Sequence, residues 1–185
     1  MTKNDLRRNF RADRRIFVAG LTGAAREQLE RALAEVIAPA LGRFMQVSTY
    51  AALGDEIDPS WADQYIGISS FPRVAGPELV FHQAARAQLS PGCKSIPEPA
   101  AFAPMVHPDV LLVPLVAVTM SGVRLGQGRG YYDRALAALR ARGSVLAIGL
   151  AWECQIAPAL PADAWDVPVD MIATPQRLVD CRKNR

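Results

Sequence analysis

Apolar positions recur at helical spacing in two stretches near the N-terminus. In residues 4–19, Leu6, Phe10 and Phe17 are available for burial while arginines occupy the other side, which predicts a first helix. Lys3 and Arg7 then project from one face of it. Ala25, Leu29, Leu33 and Val36 form the apolar stripe of a second predicted helix, starting after Thr22-Gly23 and running to Ile37, with Pro39 as its stop. The period then changes. Phe44–Ala51 reads as a buried strand entering a turn at Gly54-Asp55-Glu56, and the segment to Ser70 as a short helix and a short strand closed by Phe71-Pro72-Arg73. Leu79–His82 reads as a further strand before the proline-rich loop Pro91–Pro108. The clearest unit is an apolar strand over 109–118, an Ala/Leu/Arg-rich helix over 131–142 and a strand at Val145–Leu150, a βαβ unit with an expected right-handed crossover. These elements predict an α/β fold, a three-layer α/β/α domain on a mostly parallel sheet.

Composition narrows this picture. With 185 residues, 50% of them hydrophobic, the chain suits one domain over 1–185 with a substantial core. The formal charge is only +3, yet Arg7, Arg8, Arg11, Arg14 and Arg15 cluster near one end and Arg182-Lys183-Asn184-Arg185 at the other. Such clusters suit polyanions, or else the solvated face of a helix. No aromatic residues interleave with them as base stacking would require, so no nucleic-acid partner is expected. Cys93, Cys154 and Cys181 form no CxxC pair, and His82 and His107 show no metal-type spacing. The run Arg14-Arg15-Ile16-Phe17-Val18 resembles a twin-arginine signal, but Arg26, Glu27 and Glu30 follow too soon, and Val110–Val118 is too short to span a bilayer. A cytoplasmic, monomeric protein without a membrane partner is expected.

The segment Arg124-Leu-Gly-Gln-Gly-Arg-Gly-Tyr-Tyr-Asp133 joins the predicted strand to the predicted helix. Gly126, Gly128 and Gly130 are expected to adopt positive φ and turn N–H groups toward an anion at the helix start, where Arg124 and Arg129 supply charge. Asp133 is a candidate magnesium ligand. A glycine-rich turn without ligand is the bland alternative.

This order of residues resembles the signature of 5-formyltetrahydrofolate cyclo-ligases, and the likeness continues through Lys3-Asn-Asp-Leu-Arg7, Asp55-Glu56-Ile57-Asp58 and Ile96-Pro97-Glu98-Pro99. It ends with Leu160-Pro161, Trp165-Asp166-Val167-Pro168-Val169-Asp170 and Thr174-Pro175. The resemblance implies an isomerase-like sheet and ATP-dependent conversion of 5-formyltetrahydrofolate to 5,10-methenyltetrahydrofolate, with ATP as co-substrate and Mg2+ as cofactor. It implies that Lys3, Arg7 and the run Arg124, Leu125, Gly126, Gln127, Gly128, Arg129, Gly130, Tyr131 and Tyr132 bind ATP. By the same resemblance Arg124, Arg129 and Tyr132 act in catalysis, Ala51 and Glu56 contact folate, and Asp133 and Asp170 hold magnesium.

Three places depart from the family pattern: Lys94 stands where an aromatic residue is usual, Val118-Thr119 replaces Phe-Asp, and the segment between Glu56 and Pro72 is short. A divergent paralogue acting on another formylated substrate, or a non-catalytic nucleotide binder, therefore stands beside the cyclo-ligase.

Overall fold

Thr2 starts the first helix with a capping box: its side chain accepts from the Asp5 N–H while the Asp5 carboxylate accepts from the Thr2 N–H. The computed structural model describes residues 1–44, 46–92 and 95–184. Helix α1 spans Lys3–Ala19 and α2 spans Gly23–Leu41. Strands β1 (Gln46–Ser48), β2 (Ile68–Ala75) and β3 (Glu78–Gln83) follow, then the short β4 (Ser90–Pro91) and β5 (Pro97–Glu98). Strands β6 (Val110–Pro114), β7 (Ala117–Thr119) and β8 (Arg124–Leu125) precede helix α3 (Tyr131–Arg142). The chain closes with β9 (Leu146–Leu150), β10 (Ile156–Ala157), β11 (Met171–Thr174) and β12 (Arg177–Asp180).

Among the described residues, seven strands form the main sheet in the order β12-β11-β9-β6-β1-β2-β3. Its five inner strands pair in parallel, and β3 and β12 run antiparallel at the two edges. Successive residues of β6 show why helices cover both faces. Val110 and Leu112 pack with Leu33, Ile37 and Leu41 of α2, whereas Leu111 and Val113 pack with Ala135 and Leu136 of α3. From β1 the chain runs outward to β2 and β3 on one side, then returns to β6, β9 and β11 on the other. That reversal leaves a crevice beyond the carboxyl ends of β1 and β6, the usual ligand position in such sheets.

Four expectations from the sequence need correction. Pro39 does not stop α2, which continues to Leu41; one missing hydrogen bond so near the end is offset by the full burial of Ile37 and Leu41. The single strand over 109–118 is two strands in different sheets, because Pro114 ends β6 and the chain turns at Leu115-Val116. Phe71-Pro72-Arg73 lies inside β2 instead of closing it, and the hairpin β11–β12 has no counterpart in the sequence reading.

The fourth correction concerns the arginines of α1. Lys3, Arg7, Arg11 and Arg14 fall at spacings of four, four and three, on one helical face. Arg14 is only 5% exposed, donates to Asp55 Oδ1 at 2.8 Å and to the Leu115 carbonyl at 3.3 Å, and so docks α1 over the carboxyl ends of the sheet. Arg8 and Arg15, off that face, are exposed. Replacing Arg14 with Ala should cost about 3 kcal/mol of stability in urea unfolding, since it leaves the Asp55 carboxylate and the Leu115 carbonyl without their cation. Arg8→Ala should change it by under about 0.5 kcal/mol.

Candidate functional site at the glycine loop

Strand β8 ends at Leu125 and α3 begins at Tyr131, so the glycine loop is a five-residue connection between two anchored elements. Gly128 and Gly130 have φ of +98° and +65°, the left-handed region where side chains are strained. Gly126 does not share that conformation, contrary to the expectation for all three glycines. Gly130 is the N-cap of α3 and provides no side-chain cap, which leaves first-turn N–H groups for a ligand.

The loop is clamped from α1. Arg7 Nε donates to the Gly126 carbonyl at 2.9 Å, and Arg11 donates to Gln127 Oε1 at 3.1 Å through Nε and 2.5 Å through Nη2. Gln127 Nε2 in turn donates to Glu56 Oε1 at 3.1 Å. Two predicted contacts of separate motifs are thereby joined in one network. Glu56 is buried; burial pushes its carboxyl above the ordinary 4.5, against hydrogen bonds from the Leu53 N–H and Gln127 that favour the carboxylate.

Arg124 and Asp133 form the centre. Arg124, 7% exposed, donates to Asp133 Oδ1 at 2.8 Å, and the same oxygen accepts from the Val167 N–H at 3.0 Å. Burial lowers the guanidinium pKa and the Asp133 charge opposes that. The other terminal nitrogen, Arg124 Nη1, is buried with no hydrogen-bond partner. A buried donor left so is costly, and an incoming anion would satisfy it.

Two cavities meet there. One, of about 310 Å³, is walled largely by apolar groups including Tyr50, Ala51, Val74, Leu79, Ile96 and Tyr131, with Glu56 and Glu98 among its polar walls. The other, of about 440 Å³, is lined by Lys3, Asn4, Arg7, Gly128, Asp163, Trp165 and Asp166 among others. Arg124, Gly126, Gly130 and Asp133 line both. Tyr132 lines the apolar cavity, and burial pushes its phenol pKa up, so it stays protonated at neutral pH. Arg129, expected beside phosphate, is exposed and lines the apolar cavity.

Lys3 reaches across the polar cavity to Asp163 at 2.7 Å and Asp166 at 2.5 Å. Burial alone would lower its pKa, but hydrogen bonds to these two carboxylates raise it. Asp163, Trp165 and Glu98 carry no role that the sequence alone assigns. Glu98 is a buried carboxylate within 3.4 Å of Arg73, and only the Ile-Pro-Glu-Pro motif hinted at it.

Asp170 is placed differently from Asp133. Its Oδ2 accepts from Arg140 Nη2 at 2.7 Å and from the Ala147 N–H at 2.9 Å, tying the last turn of α3 to the start of β9. Asp133 sits in the first turn of that helix and lines both cavities, whereas Asp170 lines neither. Val118 and Thr119 are buried in β7. Lys94 lies outside the described residues.

Comparison with known proteins gives this geometry a context. Residues 74–175 match the model of the 5-formyltetrahydrofolate cyclo-ligase family. A 75-residue segment is 39% identical to the 5-formyltetrahydrofolate cyclo-ligase of Escherichia coli strain K12, covering 40% of this chain and 41% of that protein. A 66-residue segment is 44% identical to the enzyme of that name from Haemophilus influenzae, covering 36% and 35%. The matches thus span less than half the length of these curated relatives. The NMR structure of Aquifex aeolicus 5,10-methenyltetrahydrofolate synthetase superposes with a TM-score of 0.83 at 29% identity, covering 100% of this chain and 95% of that one.

The loop geometry carries its own test. A Cβ on Gly128 would lie 3.3 Å from Arg7 Cζ and would hold φ where side chains are strained by about 1–3 kcal/mol. Gly128→Ala should therefore weaken calorimetric binding of inorganic triphosphate by about tenfold and also lower stability in urea unfolding by about 1–3 kcal/mol.

Proposed function

The chain belongs to the 5-formyltetrahydrofolate cyclo-ligase family, and from that premise we propose that it closes 5-formyltetrahydrofolate to 5,10-methenyltetrahydrofolate while cleaving ATP to ADP and phosphate. The observation that carries this reading is the seam at Arg124 and Asp133, where an apolar cavity suited to a pterin opens onto a polar one suited to a polyphosphate.

The chemistry accounts for two cavities. A formamide carbon is a weak electrophile and its oxygen a poor leaving group. Transfer of the γ-phosphoryl of ATP to the formyl oxygen makes that oxygen a phosphate ester on an activated carbon. N10 then bonds to this carbon and loses its proton, and the C–O bond breaks as phosphate departs. The acceptor oxygen and the phosphoryl donor must lie in line across one point, and the protein's contribution is positioning and charge stabilisation there.

In this reading Arg124 Nη1 takes a phosphoryl oxygen, and the backbone of Gly126, Gln127, Gly128 and Gly130 surrounds the phosphates. Arg7 holds the loop in that shape, with Lys3 adding charge and Leu125, Tyr131 and Tyr132 closing the walls. Glu56 and Ala51 receive the pterin, whose N–H groups match a carboxylate acceptor, and Arg129 faces the folate side of the transfer. Asp133 fits magnesium: its carboxylate lines the polar cavity and both its hydrogen bonds reach Oδ1, so it would hold the ion as a hard oxygen ligand. Magnesium held there would neutralise phosphate charge. The remaining features of the reading are an isomerase-like sheet, a single domain, and a cytoplasmic monomer. No helix among the described residues is long and apolar enough to cross a membrane.

The direct test is ATP- and magnesium-dependent appearance of the near-ultraviolet methenyl chromophore from 5-formyltetrahydrofolate. In that assay Asp133→Asn should lower kcat/KM by about 100-fold. Asp170→Asn should instead lower the urea midpoint and leave most turnover. A chromophore absent from folded protein that binds MgATP would point to a paralogue with another substrate.

A second prediction concerns pH. Protonating Glu56 removes the acceptor for pterin N–H groups, so folate affinity should fall as pH drops through its raised pKa, above 4.5. Equilibrium dialysis between about pH 4 and 7 should show that dependence in the wild type and lose it in Glu56→Gln, which binds weakly throughout.

A further inference from the structure

Part of the polar cavity's wall is shared with the apolar cavity, at Arg124 and Asp133, and the rest is not. A nucleoside triphosphate whose transferable group sits at that seam must lay its flat, weakly polar base against the unshared wall. We propose that Trp165 is the platform on which this base stacks, an inference that rests on reading the polar cavity as the nucleotide site.

Three observations carry it. Among the described residues of the unshared wall, the apolar side chains are Trp165 and Leu125, and Leu125 is 2% exposed whereas Trp165 is 73% exposed. Only the indole offers a face. The other tryptophans are already engaged: Trp152 is fully buried and donates through Nε1 to the Asp55 carbonyl at 3.0 Å, and Trp61 lies 3.5 Å beneath the Arg31 guanidinium.

The third observation is that the exposed ring stands on a fixed turn. The Asp166 N–H donates to the Asp163 carbonyl at 3.0 Å, the Asp163 N–H donates to Asp166 Oδ2 at 2.8 Å, and Lys3 of α1 bonds both carboxylates. Burial works against the Asp166 carboxylate, but the Lys3 and Asp163 hydrogen bonds hold its pKa below the ordinary value, so this tie persists at neutral pH. A turn held in place before the ligand arrives has little backbone freedom left to lose on binding. Stacking does not read a base's edge, because every base has a π-face. The site should therefore distinguish nucleotide from bare triphosphate far better than it distinguishes ATP from GTP.

The test titrates the wild type, Trp165→Ala and Trp165→Phe with ATP, GTP and inorganic triphosphate in magnesium buffer by calorimetry. Trp165→Ala should weaken ATP and GTP about tenfold, Trp165→Phe should recover most of that loss, and triphosphate should bind all three proteins alike. ATP affinity unchanged in Trp165→Ala would overturn the inference while leaving the nucleotide reading intact. A parallel loss of triphosphate affinity would also overturn it, since Trp165 would then be a prop for the 163–166 turn. Absence of nucleotide binding in the wild type would remove the nucleotide reading itself, and the platform with it.

Discussion

The cationic face of α1 holds the functional region together. Lys3, Arg7, Arg11 and Arg14 each bind a different partner: the 163–166 turn, the Gly126 carbonyl, Gln127, and the Asp55 loop with Leu115. None of these partners belongs to the parallel core, and each lies in a connection between elements. A helix is a suitable brace because its backbone hydrogen bonds are internal, so its spacing of side chains does not depend on the loops it fixes. Bonds from charged donors to partly buried acceptors are also stronger than exposed ion pairs.

That brace explains how one buried arginine can be left incompletely paired. Arg124 meets Asp133 across the glycine loop, on one side a strand and on the other the first turn of α3, so neither can drift to relieve the unsatisfied Nη1. The result is a fixed positive site in a low-dielectric wall, where its attraction for an anion is larger than it would be in water. The same position borders an apolar cavity, and this juxtaposition is what allows an anionic group and a hydrophobic ring to meet.

The opposite end of α3 has a quieter role. Arg140 and Asp170 tie it to β9, while Arg134 donates to the Pro77 carbonyl at 2.6 Å in the β2–β3 turn. With both ends held, the helix start presents its N–H groups at a constant angle to the loop. Asp170 thus supports that end of α3 through Arg140.

Local order was legible in the chain. Helix α3 spans the predicted residues 131–142, β9 differs from its prediction by one residue, and the glycine loop falls between strand and helix as its residues require. Those features depend on side-chain period and on backbone conformations that glycine alone adopts easily, and both are properties of neighbouring residues. The arginines read as a solvated face or a polyanion site turned out to be a brace, because their partners lie far away in sequence: Lys3 and Asp163 are 160 residues apart, and Arg14 and Asp55 are 41 apart. Likewise Glu56 and Gln127, 71 residues apart, meet only in the folded chain. The sequence by itself determined the main helices, the strand–loop–helix order around the glycines and the family; which charges meet, which are buried and which point into the cavities was decided only by the packing of α1 and α3 against the sheet.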